Sequence, residues 1–130
     1  MPPPFLFLVL DDDPDIRFLN RHALERAFAG CEVIECETAS DALQRCSITK
    51  PDAVVTDHQL RGDNGAAFIA DLRRQGHTCP IVMVTASSDP AVRAQAYAAG
   101  ATRVFVPGSL DFPAYLREVL TEDAEDLEDG

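Results

Sequence analysis

The fold is decided by one stretch near the amino terminus, Phe5-Leu6-Phe7-Leu8-Val9-Leu10-Asp11-Asp12-Asp13. Its continuous apolar run predicts a strand that is buried on both faces, as in a parallel sheet. Three carboxylates follow at once, and from Asp15 the apolar residues recur at helical spacing. The stretch therefore predicts a buried strand, an acidic strand end and a helix, which are the first pieces of a β-α-β unit.

The same alternation continues along the chain. Further strands are predicted at 33–36, 53–56, 81–84 and 104–106, and helices at 15–28, 40–48, 65–76, 90–99 and 111–120. A polar loop is expected at 58–64, and Asp89 with Pro90 marks the start of the fourth helix. Buried strands that alternate with helices predict an α/β fold. We expect a doubly wound, five-stranded parallel sheet of order 2-1-3-4-5 with five helices.

Composition bounds the function. The 130 residues suit one domain, which we place at 1–121, and the acidic segment 122–130 is interpreted as a tail or the start of a linker. With 22 acidic and 11 basic residues, the net charge of −11 argues against direct nucleic-acid binding. The apolar run at 5–10 is too short to span a membrane. The four cysteines match no metal or redox spacing, which favours free thiols in the cytoplasm.

Polar residues follow several of the predicted strands. Asp11, Asp12 and Asp13 end the first strand, Asp57 ends the third and Thr85 ends the fourth. In the order 2-1-3-4-5 the first and third strands are neighbours, so their carboxylates converge at the ligand-binding edge of the sheet. Such carboxylates repel one another and stay ionised together only beside a cation, for which Mg²⁺ or Mn²⁺ is suited.

This edge suggests phosphoryl chemistry. Asp57, next to a bound ion, could attack phosphorus as a carboxylate nucleophile, and Thr85 could donate its hydroxyl to a phosphoryl oxygen. The simpler explanation is that the aspartates cap the first helix. One cap needs only one aspartate, and capping does not explain Asp57 on another strand.

The chain resembles the receiver domain of two-component response regulators over residues 5–121. The resemblance rests on five pieces taken together: Val9-Leu10-Asp11-Asp12-Asp13-Pro14-Asp15-Ile16-Arg17, Pro51-Asp52-Ala53-Val54-Val55-Thr56-Asp57, residues 60–65, Pro80-Ile81-Val82-Met83-Val84-Thr85-Ala86 and Gly100-Ala101. It implies a flavodoxin-like fold and a role in phosphorelay signalling. A receiver is not an enzyme beyond promoting its own aspartyl phosphorylation and dephosphorylation.

Roles carry over residue by residue from this resemblance. Asp57 would be the phosphoacceptor, and Thr85 the switch hydroxyl. Asp11, Asp12 and the main-chain carbonyl of Gln59 would hold Mg²⁺ together with Asp57. The phosphoryl donor would be a sensor histidine kinase or a histidine phosphotransfer protein. An effector or output domain would read the face formed by the last two helices and the fifth strand.

Departures from the family pattern limit the analogy. The usual lysine after the fifth strand falls on Pro107 by the forward count or on Ser109 by the backward count, and the single lysine, Lys50, precedes the third strand. The usual aromatic switch position falls on Val104, and a usual proline is Arg61. We therefore expect slow, Mg²⁺-dependent phosphorylation with weak coupling to the output face. Arg61 or His58 could supply part of the missing charge.

Other functions are weighed against this one. A pseudo-receiver would keep the fold as a protein-interaction module that works without phosphorylation. A small phosphatase using Asp11 and Asp13 would need a lysine that is missing here, and a cobalamin-binding domain would need a histidine spacing that His58 does not match. Apolar side chains of the last two helices are interpreted as core or as a homodimer surface: Val92, Ala96, Tyr97 and Tyr115.

Overall fold

The computed structural model describes residues 4–108 and 111–129, with side chains described through residue 121. Its strands are β1 (Leu6–Leu10), β2 (Glu32–Cys36), β3 (Ala53–Thr56), β4 (Gln59–Leu60), β5 (Asp63–Asn64), β6 (Ile81–Val84) and β7 (Arg103–Phe105). Its helices are α1 (Pro14–Ala27), α2 (Ala39–Thr49), α3 (Gly65–Arg74), α4 (Pro90–Ala99) and α5 (Asp111–Asp129). The five predicted strands and the first four predicted helices are confirmed to within two residues, whereas α5 runs nine residues past its predicted end at 120. The division of the chain at residue 121 stays a prediction.

Five strands form one parallel sheet of order β2-β1-β3-β6-β7. When the two-residue strands β4 and β5 are set aside, this is the predicted order 2-1-3-4-5. The register places Leu10 beside Thr56, and Thr56 in turn beside Met83. The carboxyl ends of β1, β3 and β6 therefore lie side by side at one edge of the sheet.

The central strands are buried on both faces, as their unbroken apolar runs predict. Leu8, Leu10 and Val54 point to the face that α2, α3 and α4 cover. Phe7 and Val9 point to the face that α1 and α5 cover. Successive residues of a strand face opposite sides of the sheet, so one run of alternating large side chains serves both halves of the core.

The segment after β3 differs from the prediction of an open polar loop. It folds into a short antiparallel hairpin, in which Gln59 pairs with Asn64 and Leu60 with Asp63. Gly62 makes the turn with a φ of +76°, a conformation that glycine adopts without steric cost. Leu60 is buried, and this single apolar anchor fixes the hairpin to the domain.

The alternation of side chains along a strand also decides which face of the sheet each residue of β7 points to. Val104 joins the core under α4, whereas Phe105 faces Tyr115 on the side of α5. An aromatic residue one position away therefore does not replace the one expected at Val104. Val92 and Ala96 are buried, which confirms the interpretation of these two as core. No helix in the described part of the chain combines the length and the apolarity that crossing a membrane requires.

Candidate functional site

Three carboxylates meet at the edge of the sheet where β1 and β3 end. Asp11 and Asp12 follow β1, and Asp57 follows β3. One carboxylate oxygen from each lies within 4.8 Å of the other two. The backbone N–H of Asp57 donates to the carbonyl of Leu10 at 3.2 Å, which extends the β1–β3 ladder up to the site. The convergence predicted from strand order is confirmed.

The remaining aspartate of the acidic run has a structural task. The Asp13 side chain caps α1 by accepting the N–H of Asp15 at 2.9 Å, and Pro14 begins the helix. The N–H of Asp13 donates to the Asp11 carboxylate at 2.9 Å. Capping thus accounts for Asp13 but leaves Asp11 and Asp12 to the site.

Arg17, on the first turns of α1, supports the acidic end of β1 through its main chain. Its Nη1 donates to the main-chain carbonyl of Asp11 at 2.8 Å, and its Nε lies 3.4 Å from a Glu35 carboxylate oxygen. Glu35 also accepts from Arg21 at 2.8 Å. Residue pattern alone predicts no role for Arg17, because its contact is to a main-chain oxygen whose position depends on the turn after β1.

The backbone around Asp57 is held by the start of α3. The N–H of Gly65 donates to the carbonyl of His58 at 2.8 Å, and the Asn64 side chain caps α3 through the N–H of Ala67 at 2.8 Å. The Cα of Gly65 lies against the main-chain carbonyl of Asp57, with no room for a Cβ. The glycine is therefore required by a close approach of two backbones.

Burial makes the ionised carboxylates costly in the metal-free chain. It is the main cause that raises the pKa of Asp11 to about 6, and the charges of Asp57 and Asp12 add to the effect. Burial also raises the pKa of Asp57, although the backbone N–H groups of His58 and Gln59 hydrogen-bond to its carboxylate and oppose the shift. The distance from the His58 nitrogen to Asp57 Oδ1 is 2.7 Å.

A cleft of about 670 Å³ opens in front of these carboxylates. Its lining residues come from the β1 end, the β3 end and the hairpin: Asp11, Asp12, Asp13, Ile16, Asp57, His58, Gln59, Leu60, Arg61, Asp63 and Asn64. Two basic side chains, His58 and Arg61, stand among five aspartates. The cleft is thus strongly acidic and has a basic group at the hairpin.

The other predicted site residues lie close by with different exposure. Gln59 lines the cleft at the start of β4. Thr85 is buried directly beyond β6 and is not one of the residues that line the cleft. Its hydroxyl accepts from the N–H of Ser87 at 3.1 Å. Its own N–H donates to the carbonyl of Phe105 at 2.9 Å. Thr85 therefore lies between the acidic edge and the last strand.

The lysine that the resemblance would place here has no counterpart in the described residues. Pro107 is an exposed turn residue after β7, and Ser109 lies outside the described residues. Lys50 ends α2 with a left-handed φ of 49° and precedes β3, at the opposite edge of the sheet from Asp57. The structure agrees with the expectation that Lys50 does not serve the site.

The donor set fits a hard divalent cation. Three carboxylates offer oxygen ligands within one coordination sphere, and two of them carry a raised pKa in its absence. Mg²⁺ takes oxygen ligands, keeps part of its water shell and shares it with phosphoryl oxygens. Asp11, Asp12 and Asp57 are the residues that would hold it.

Residues 7–106 match the family model described as the response regulator receiver domain. The chain is 35% identical over 94 residues to the KDP operon transcriptional regulatory protein KdpE of Escherichia coli, a match covering 72% of the chain and 40% of that protein. It is 30% identical over 93 residues to the DNA-binding transcriptional regulator NtrC of Escherichia coli, covering 72% of the chain and 19% of that protein. The chain thus spans less than half the length of these relatives.

Solved structures agree in fold. A putative response regulator from Chloroflexus aurantiacus superposes with a TM-score of 0.78 at 28% identity, over 86% of this chain and 93% of that one. The chemotaxis response regulator CheY4 of Vibrio cholerae superposes with a TM-score of 0.76 at 26% identity, over 92% of this chain and 98% of that one.

Proposed function

Because the chain belongs to the response regulator receiver domain family, we propose that Asp57 accepts a phosphoryl group from a phosphohistidine, with Mg²⁺ bound at the acidic edge. The observation that carries the proposal is the convergence of the Asp11, Asp12 and Asp57 carboxylates within 4.8 Å. Receiver domains are regulatory phosphoacceptors rather than enzymes in the ordinary sense. They work with histidine kinases and with output domains.

The transfer is an in-line displacement at phosphorus. A carboxylate oxygen of Asp57 forms the new O–P bond while the P–N bond to the donor imidazole breaks, and that bond's electron pair leaves with the nitrogen. Mg²⁺ held at this edge would supply positive charge against the phosphoryl oxygens. Asp57 is suited to the attack because its carboxylate faces an open cleft while its backbone is fixed against Gly65.

The neighbouring residues divide the remaining tasks. Asp11, Asp12 and the main-chain carbonyl of Gln59 would hold the cation together with Asp57. Thr85 donates its hydroxyl proton to a phosphoryl oxygen, and this proton is not used in the present contact, in which the hydroxyl oxygen accepts from the Ser87 N–H. Since the Thr85 N–H bonds to Phe105, movement there would reach β7 and the face of α4, β7 and α5.

Two features reduce the efficiency of this signal. The cleft has no lysine among its described lining residues, so the phosphoryl group is less well neutralised and transfer is slow. Val104, and not an aromatic side chain, occupies the switch position, and it is buried in the core under α4. We therefore expect phosphorylation to couple weakly to the output face.

A cytoplasmic location suits the four free cysteines.

The proposal is tested by intact-mass spectrometry after incubation with Mg²⁺ and acetyl phosphate. The wild type should gain one phosphoryl group, and Asp57→Asn should gain none. Asp15→Asn, which removes an exposed carboxylate of α1, is the matched control and should behave as the wild type. A wild type that gains no phosphoryl group, even from a partner histidine kinase, would contradict the proposal and point to a phosphorylation-independent interaction module.

A further inference from the structure

The cleft has more negative charge than a divalent cation can offset. Five aspartates line it: Asp11, Asp12, Asp13, Asp57 and Asp63. A phosphoryl group on Asp57 brings additional negative charge to the same space. One divalent cation and one further positive side chain would offset three of the five carboxylate charges, so a basic group near the phosphoryl oxygens has a clear electrostatic use.

We propose that Arg61 binds the phosphoryl group and takes the place of a lysine in this cleft, an inference that rests on the proposed function. Lys50 is the chain's single lysine, and it lies at the opposite edge of the sheet, beside a separate cavity lined by residues 75–79. Arg61 lines the acidic cleft directly. Within the described residues its side chain makes no hydrogen bond or ion pair, so its charge is available to a ligand.

The hairpin presents Arg61 from a fixed base. Its two arms pair Gln59 with Asn64 and Leu60 with Asp63, so Arg61 begins the turn. Leu60 is buried below it, and Asn64 caps α3 on the far side. The backbone on both sides of Arg61 is thus anchored, while the side chain is exposed and can turn toward the cleft.

Chemistry favours Arg61 over His58, the other basic residue of the lining. A guanidinium keeps its charge at every working pH and offers several N–H donors in a plane that matches phosphate oxygens. An imidazole is a cation only in the acidic part of the range.

The test compares an anionic ligand with a cationic one. Beryllofluoride in the presence of Mg²⁺ mimics the phosphoryl group, and its binding is measured by ¹⁹F NMR. The binding of Mg²⁺ alone is measured by calorimetric titration. Arg61→Gln should weaken beryllofluoride binding by roughly fivefold, as loss of a partly solvated charge-assisted hydrogen bond implies. It should leave Mg²⁺ affinity unchanged or raise it about twofold, because a repelling charge is removed. Arg61→Lys should recover most of the loss.

A loss of affinity for beryllofluoride without a loss for Mg²⁺ separates a phosphoryl-binding charge from a structural role, which would weaken both. Arg26→Gln, in the last turn of α1 and outside the cleft, is the matched loss of charge and should change neither affinity. Equal beryllofluoride binding by wild type and Arg61→Gln, or a loss seen only in His58→Gln, would overturn the inference. If the wild type itself bound no beryllofluoride and took no phosphoryl group, the proposed function would fail instead.

Discussion

The Cα of Gly65 lies against the main-chain carbonyl oxygen of Asp57, so that a methyl group on Gly65 would collide with it. Gly65 does not have a positive φ, so a glycine is needed here for close packing and not for an unusual backbone conformation. This contact, with the bond from the Gly65 N–H to the His58 carbonyl, fixes the segment that carries the proposed phosphoacceptor.

Gly65→Ala should displace the Asp57 segment from the start of α3. We expect the free energy of unfolding to fall by about 2 kcal/mol or more, as overpacking against backbone does, and Mg²⁺ affinity to fall with it. Urea unfolding and calorimetric Mg²⁺ titration measure the two effects. The control is Gly76→Ala, where a Cβ meets nothing within 4 Å and the cost is that of a positive φ alone. Unchanged Mg²⁺ affinity in Gly65→Ala would contradict the positioning role.

Arg17→Ala should disturb the turn that carries Asp11 and Asp12. The substitution leaves the Asp11 carbonyl without its donor, so we expect a loss of about 1–3 kcal/mol in the free energy of unfolding. Mg²⁺ affinity should fall several-fold because the turn carrying Asp11 and Asp12 loses its support. Arg21→Ala is the matched control: it also removes a partner of Glu35, but Arg21 does not bond to Asp11. If both variants bound Mg²⁺ equally well, Arg17 would have no part in positioning the acidic turn.

The stability of the metal-free chain should fall as the pH rises from about 4 to 6. The Asp11 pKa is about 6 when folded and 3.8 at its ordinary value, so between these pH values the folded state binds more protons. The stabilisation is complete below the ordinary pKa and is lost as the pH passes the folded pKa. The raised pKa of Asp57 acts in the same direction. The expected loss is on the order of 1–2 kcal/mol after solvent screening.

Urea unfolding at several pH values, with a chelator or with Mg²⁺, checks this dependence. Mg²⁺ should stabilise the chain more at pH 7.5 than at pH 5, roughly following ionisation of the carboxylates that would hold it. Asp11→Asn should flatten the metal-free profile between pH 4 and 6. If the stability of the wild type and that of Asp11→Asn instead changed equally with pH through this range, the pKa of Asp11 would not be raised by folding.

Arg73 should carry far more stability than its neighbour Arg74. Its guanidinium donates to the carbonyls of Gly100, His77 and Cys79 at 2.8–3.0 Å, joining the end of α3 to the segments before β6 and β7. We expect Arg73→Ala to lower the free energy of unfolding by about 2–4 kcal/mol, since several acceptors lose their donor together.

Arg74→Ala supplies the comparison for this result, because Arg74 makes an exposed ion pair with Asp71. Its loss should change stability by about 0.5 kcal/mol or less. Similar thermal and urea midpoints for the two variants would show that the Arg73 contacts add little beyond a surface ion pair.

Much of the fold followed from local pattern. The unbroken run at 5–10 predicted a strand buried on both faces, and the change to helical spacing after Asp13 predicted α1. Parallel strands place their carboxyl ends on one edge, so the strand order alone predicts that Asp11, Asp12 and Asp57 converge. The hairpin at 59–64 was missed because its arms have two residues each, which is too short for a periodicity to show.

The sequence by itself determined the acidic strand ends, the missing lysine and the presence of one helix cap among the first aspartates, because these depend on residue types and on short-range spacing. The rules of parallel-sheet connection added the strand order. Only the tertiary structure decided which backbones touch: Gly65 against Asp57, Arg17 on the Asp11 carbonyl and Arg73 across two loops. Such contacts join one element to another across a turn or a loop, and they involve main-chain oxygens that every residue possesses. Side-chain identity therefore carries no signal for them, and only packing brings them together.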